Sequence, residues 1–149
     1  MFEWFGKINF CPHTKVDGFA GHLRNGRLMG ATCTACGNLS FPPRADCPAC
    51  RHGEFEFTEL SGKGVVMTYT TIEAAPAGFE DDVPFGLGVV DLEEGGRLLA
   101  SFGDTIDAEK IAIDMPVQVV PRLYEESEDI KVHYTLEIPG TTWVKTDPD

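Results

Sequence analysis

Cys33-Thr-Ala-Cys36-Gly37-Asn-Leu-Ser-Phe41-Pro-Pro-Arg44-Ala-Asp-Cys47-Pro-Ala-Cys50 contains two C-x2-C pairs with ten residues between them. A C-x2-C turn brings two sulfurs together while free backbone amides point at them. Two such turns set face to face supply four thiolates at tetrahedral corners. Gly37 after the first pair and Gly53 soon after the second suit the close turns this requires. All-sulfur tetrahedral ligation selects zinc or iron, and zinc is the commoner structural ion. A single C-x2-C also occurs in redox dithiols, but two pairs this close favour a metal site. Four thiolates leave no coordination position for water, so the spacing predicts structural Zn2+ held by Cys33, Cys36, Cys47 and Cys50, and no hydrolytic centre.

The remaining soft ligands form no comparable pattern. Cys11, His13 and His22 lie scattered over an irregular segment and read as surface or packing residues. His52 follows Cys50, but four cysteines already complete a shell. His133 sits in an alternating apolar run and reads as a strand residue. The acidic groups Glu80-Asp81-Asp82, Glu93-Glu94 and Glu125 to Asp129 fall in expected turns and read as solvated loop charge; the sequence gives no sign of a buried catalytic carboxylate. Walker loops, dinucleotide fingerprints and nucleophile elbows are absent.

Outward from the cysteines, Asp17 to Gly26 suits a short helix capped by Asp17 and stopped at Gly26, with Phe19 and Leu23 on one face. Phe2, Trp4, Phe5 and Phe10 make the start of the chain aromatic, fit to pack against the protein or a partner. From Glu54 the apolar residues recur every second position. Phe55 and Phe57, Val65 to Ile72, Gly86 to Leu92, Arg97 to Phe102, Val117 to Tyr124 and Ile130 to Ile138 all read as strands. Glu93-Glu-Gly-Gly closes a hairpin, and Ile106 to Ile111 is at most a short helix before Pro116. The last five of these strands, with that helix before the fourth, predict a five-stranded OB-fold barrel. The fold class is mainly β, in four parts: 1–26 with a short helix, a zinc ribbon over 27–54, an OB-fold domain over 55–138, and a peripheral tail over 139–149.

The 149 residues leave room for one modest core, and 42 % hydrophobic against 24 % charged residues is a globular balance. The net charge of −12 is uneven: residues 1–64 hold seven Lys/Arg against six acids, and the remainder five against eighteen. Such a chain repels polyanions outside its N-terminal half. With neither a signal-peptide pattern nor an apolar run of membrane-spanning length, a cytoplasmic location is expected.

Cys33-x-x-Cys36-Gly37, Phe41-Pro-Pro-Arg44, Cys47-Pro-x-Cys50 and Leu60-Ser-Gly-x-Gly64 leading into Tyr69-Thr70 resemble the acyl-CoA-associated family in which a rubredoxin-like zinc ribbon precedes an OB-fold domain. The likeness extends through Gly86 to Phe102 and Gly103-Asp104 to Met115-Pro-Val117, over roughly residues 17 to 138. Residues 1 to 16 and the tail from Pro139 depart from the pattern. The resemblance implies an accessory subunit of a thiolase-type acyl-CoA complex, inactive alone, whose partner supplies the catalytic Cys and His. It further implies that CoA or acyl-CoA is a ligand shared with that partner. Relatives serve several kinds of acyl-CoA chemistry, among them thiolysis of 2-benzoylsuccinyl-CoA in anaerobic aromatic degradation. The basic residues near the ribbon, Arg44 first, then Arg24, Arg27 and Lys63, are the candidate counter-charges for the CoA phosphates.

Two other functions use the same features. Zinc ribbons and OB barrels also bind single-stranded nucleic acid, but that needs a basic, aromatic groove, and Phe85 to Phe102 offers two Phe and Arg97 among acids. An iron rubredoxin-type electron carrier would use the four sulfurs and leave the barrel without a role. The expectation is therefore neither nucleic acid nor membrane as partner.

Overall fold

The computed structural model describes residues 1–9, 11–124 and 128–143. Phe10, Glu125 and the tail beyond residue 143 lie outside the described residues. A helix α1 (Gly18–Arg24) leads into strands β1 (Met29–Cys33) and β2 (Leu39–Ser40), with β3 (Phe55–Glu59) following the second cysteine pair. These three form one antiparallel sheet in the order β2-β1-β3. The strands β4 (Lys63–Ile72), β5 (Phe85–Leu92), β6 (Arg97–Phe102), β7 (Pro116–Leu123) and β8 (Val132–Glu137) close a barrel in the order β4-β5-β6-β8-β7. A single 3-10 turn, Ala108–Lys110, precedes β7, where the short helix was expected. The chain is mostly β, with one short helix and a closed five-stranded OB-like barrel. No helix among the described residues is long and apolar enough to cross a membrane.

Several local expectations need correction. Residues 55–59, assigned to the barrel side from their alternation, pair with β1 from Met29↔Glu59 to Cys33↔Phe55 and complete the ribbon sheet. Alternation marks a strand but does not name its neighbour. Asp17 makes no side-chain cap and itself has helical backbone angles. The helix does end as expected, with Gly26 N–H donating to Leu23 and Arg27 N–H to His22. The aromatic start of the chain packs on the protein itself: Phe5 bridges to Val132, and Gly6 N–H donates to the Val132 carbonyl at 2.8 Å.

One core runs through all these parts. Phe19 and Leu23 of α1, Phe41 of the ribbon and Leu60 are buried with Val66, Val90, Leu98, Val117, Val119, Val132 and Leu136 of the barrel. At its centre Phe19 meets Phe41 edge-on at 5.8 Å, Phe5 at 5.3 Å and Tyr134 at 6.5 Å. Phe41 also approaches Tyr134 at 5.6 Å. Each ring comes from a different element, so the cluster fixes helix, ribbon loop, N-terminal segment and β8 to one another. Edge-on contacts of this kind add to the area the rings bury.

The barrel closes at its weakest seam, the parallel pairing of β6 with β8, limited to Ser101↔Thr135 and Phe102↔Leu136. Beside it sits Glu137, only 1 % exposed, a buried carboxylate of which the sequence carried no sign. It accepts hydrogen bonds from the Thr105 amide and hydroxyl, the Thr135 hydroxyl at 2.6 Å and Arg122 at 3.0 Å. Burial pushes its pKa up, but the donors from Thr105, Thr135 and Arg122 outweigh burial and hold it below the usual carboxylate range. Gly103 makes this possible, because a Cβ there would fall 1.7 Å from a Glu137 carboxylate oxygen.

Gly103→Ala is therefore expected to destabilise the protein by about 3 kcal/mol, read as a lowered urea midpoint. Glu137, with a depressed folded pKa, contributes stability that is present above its unfolded pKa and is lost as pH falls through the folded value. Urea midpoints of the wild type and Glu137→Gln, measured downward from pH 7, should converge in acid; parallel curves would show that Glu137 does not contribute in this way.

Candidate metal centre

The two C-x2-C turns are built alike. Cys33 N–H donates to Asn38 and Cys47 N–H to His52, while Gly37 N–H returns to the Cys33 carbonyl and Arg51 N–H to that of Cys47. Each turn requires a left-handed residue four positions after its first cysteine. In the first this is Gly37, with φ +74°; in the second it is Arg51, with φ +64°. The expectation that Gly53 serves the second turn is thus corrected, and a non-glycine residue bears the strained angle.

The four sulfurs lie within 4.8 Å of one another. Sγ of Cys33 stands 3.6 Å from that of Cys50, and Cys36 the same distance from Cys47. A tetrahedron with Zn–S bonds of about 2.3 Å has sulfur–sulfur edges of about 3.8 Å, so the spacing fits zinc. The backbone fits as well. The amides of Cys36 and Ala35 hold the Cys33 thiol below its ordinary pKa, and those of Cys50 and Ala49 draw Cys47 down to about 6. The Asn38 amide pulls on Cys36, yet hydrogen bonding to Cys47 and burial leave that thiol raised. The His52 amide likewise pulls on Cys50, but Cys36, burial and the other sulfurs push it up to about 12. Two thiolates are stabilised by the turns, and the other two cannot ionise beside them without a cation. The four-cysteine ribbon supports structural zinc and would bind it through all four sulfurs, with no position open for a reacting water.

Around the cluster, His52 is not a ligand: its Nε2 lies 3.1 Å from the Thr34 hydroxyl. Glu54 reaches the same nitrogen at 3.9 Å, so Thr34, His52 and Glu54 do not form a relay across the ring. Cys11 is exposed, His22 packs edge-on to Phe57 at 5.1 Å, and no second metal-ligating cluster occurs among the described residues. The candidate CoA counter-charges have different immediate surroundings. Arg24 lies over the Trp4 ring at 5.3 Å, and Arg27 grips Glu59 at 3.0 Å. Lys63 begins β4, and Arg44 lies beside Cys47 in the ribbon loop. Neither Lys63 nor Arg44 has an ion-pair partner among the described residues. Arg97, the one cation between Phe85 and Phe102, is engaged by both oxygens of Asp91.

One cleft was not found from sequence. About 450 Å³ in volume, it lies at the β6–β8 seam and is lined by Phe79, Phe85, Phe102, Arg122, Tyr124, His133 and Glu137, among others. His133 is more than a strand residue here: its ring stacks on Tyr124 at 3.9 Å. Burial, helped by Arg122, pushes its pKa down to about 4, so the imidazole is neutral at pH 7. The only hint in the sequence was that aromatic residues recur at the strand ends, and without the pairing they have no common location.

Purified protein is expected to carry one zinc per chain. Cys50→Ser should lose it and lower the thermal midpoint, and cobalt substituted into the wild type should give thiolate-to-metal charge-transfer absorption. A metal-free wild type of unchanged stability would contradict the assignment.

Residues 21–56 match the ChsH2 rubredoxin-like zinc ribbon domain, and residues 57–122 match the ChsH2 C-terminal OB-fold domain. A DUF35 domain-containing scaffold protein of Methanocaldococcus jannaschii is 41 % identical over 103 residues, covering 68 % of this chain and 72 % of its own length. The benzoylsuccinyl-CoA thiolase subunit BbsA of Thauera aromatica is 34 % identical over 85 residues, 57 % of this chain and 54 % of its own. Among solved structures, a chain of the Ltp2-ChsH2(DUF35) aldolase superposes with a TM-score of 0.68 at 26 % identity, covering 87 % of this chain and 98 % of that one. With both domains matched in order and the four sulfurs converged, this chain belongs to the ChsH2/DUF35 family of zinc-ribbon and OB-fold proteins.

Proposed function

We propose that this chain is a non-catalytic, zinc-stabilised subunit of a thiolase-type acyl-CoA complex, stabilising its catalytic partner and helping to form the acyl-CoA site. The observation that carries this reading is the closed four-sulfur centre. It builds a rigid ribbon against the barrel and offers no reactive position, which suits a part that shapes a partner's site. The relatives agree in kind: one is a thiolase subunit, one belongs to an aldolase, and others are scaffold proteins. The reaction is CoA-dependent carbon–carbon cleavage or condensation, with 2-benzoylsuccinyl-CoA the first substrate to try.

Of the four basic candidates, Arg44 is the contact we place on the CoA phosphates. Arg24 and Arg27 are engaged with Trp4 and Glu59, whereas Arg44 is exposed on a loop whose two neighbouring prolines reduce the entropy lost on ordering it. Lys63 supplies a second charge. A single-stranded nucleic acid finds little support, since Arg97 is occupied by Asp91 and acids dominate the barrel half.

Native purification should recover a thiolase-like chain with this one, and thiolysis activity should fall when this chain is withheld. In that complex Arg44→Ala should raise KM for the acyl-CoA about threefold, the range of one exposed ion pair, with kcat unchanged. An unaltered KM would remove Arg44 from the site, and a chain that purifies alone would overturn the subunit reading.

A further inference from the structure

We propose that the cleft at the β6–β8 seam binds a single flat heteroaromatic base of the adenine kind, at a site separate from the zinc ribbon. Its volume of about 450 Å³ falls within the usual range for small-molecule sites, roughly 300–1,000 Å³. The proposal stands apart from the thiolase reading, because the isolated chain is enough to test it.

Five aromatic rings line the cleft. Phe79 and Phe85 face each other at 6.3 Å, tilted by 34°, and Phe102 adjoins them. Tyr124 and His133, also in the lining, form a parallel stack with 15° between their planes. All five rings are only half-buried. So much aromatic surface facing one opening favours a flat ring, which gains stacking and dispersion whatever its substituents.

Polar groups in the cleft decide what kind of ring. Arg122 donates its Nε–H to Thr135 at 3.3 Å and one terminal N–H to Glu137 at 3.0 Å. A guanidinium has five N–H donors, and the others meet no acceptor among the described residues. A plain hydrocarbon ring would cover these donors without satisfying them, at a cost in free energy. A ring with acceptor nitrogens on its edge satisfies them. At the rim Asp104 is exposed and accepts from an exocyclic amine, and the neutral His133 offers a ring nitrogen.

Charge then rules out an anionic ring. Glu137 already balances Arg122, and Lys7 balances Asp82, which leaves Asp104 as uncompensated negative charge. A carboxylate or phosphate inside the cleft would meet that charge, whereas an uncharged base would not. The N-terminal segment keeps the outer wall in place: Lys7 lies over the Phe79 ring at 5.3 Å, and Ile8 abuts Gly78.

The test is an amide-shift titration of the full zinc-loaded chain with adenosine, followed by AMP and benzoate. Adenosine at millimolar concentration should move the resonances of Phe79, Arg122, His133 and Thr135 and leave those of Cys33 to Cys50 in place. Phe79→Ala, on a loop outside the barrel strands, should weaken binding about tenfold with zinc content unchanged. AMP should bind no more tightly than adenosine, and its affinity should not depend on salt. No shifts with adenosine, shifts confined to the ribbon, full affinity in Phe79→Ala, or tighter binding of benzoate or AMP would each overturn the proposal.

Discussion

Four thiolates within 4.8 Å of one another can coexist only around a cation, and the rest of the fold follows from that constraint. The ribbon segment is too short to bury a core of its own. It holds its shape because two amide-lined turns converge on one point. Between those turns the chain runs through Phe41, and the ring that the ribbon presents there seats against Phe19 and Tyr134. The metal centre therefore does more than hold the ribbon, because it places the aromatic residue that locks ribbon to helix and barrel.

A second constraint lies where the barrel closes. Closing five strands here needs a parallel seam of two residue pairs, too short to be strong by itself. Glu137 strengthens it, joining β8 to the β6–β7 connection through Thr105 and to β7 through Arg122. A buried carboxylate is costly unless its oxygens are fully engaged. Here its four donors make the carboxylate a cross-link, at the expense of any side chain at position 103. The cleft lies beside this short seam and shares Ser101, Phe102 and Thr135 with it.

Charge separates the two halves in composition. The ribbon half is near neutral and carries the exposed Arg44; the barrel half carries most of the acids. Within the barrel the cations are largely consumed internally: Arg97 by Asp91, Arg122 by Glu137, and Lys131 by the carbonyls of Glu3 and Asn9. An acidic barrel whose cations are spent this way is suited to a protein partner or an uncharged ligand and poorly suited to a phosphate backbone.

Read alone, the sequence determined the features that depend on short spacing. Cys33, Cys36, Cys47 and Cys50 announce their metal because a tetrahedral site needs four sulfurs in two tight turns. The barrel strands announce themselves by period-two alternation, and the hairpin at Glu93 to Gly96 by its turn residues. The tertiary structure decided what depends on neighbours distant in the chain. Phe55–Glu59 belongs to the ribbon because β1 presents the matching edge, and alternation cannot reveal a partner. Arg51 takes a left-handed angle because the metal turn demands one there, although composition pointed to Gly53. Glu137 is buried, and Phe79, Tyr124 and His133 meet at one cleft with it, because closure brings together residues that are up to 58 positions apart. Burial and convergence are properties of the closed barrel, and no local pattern in the chain encodes them.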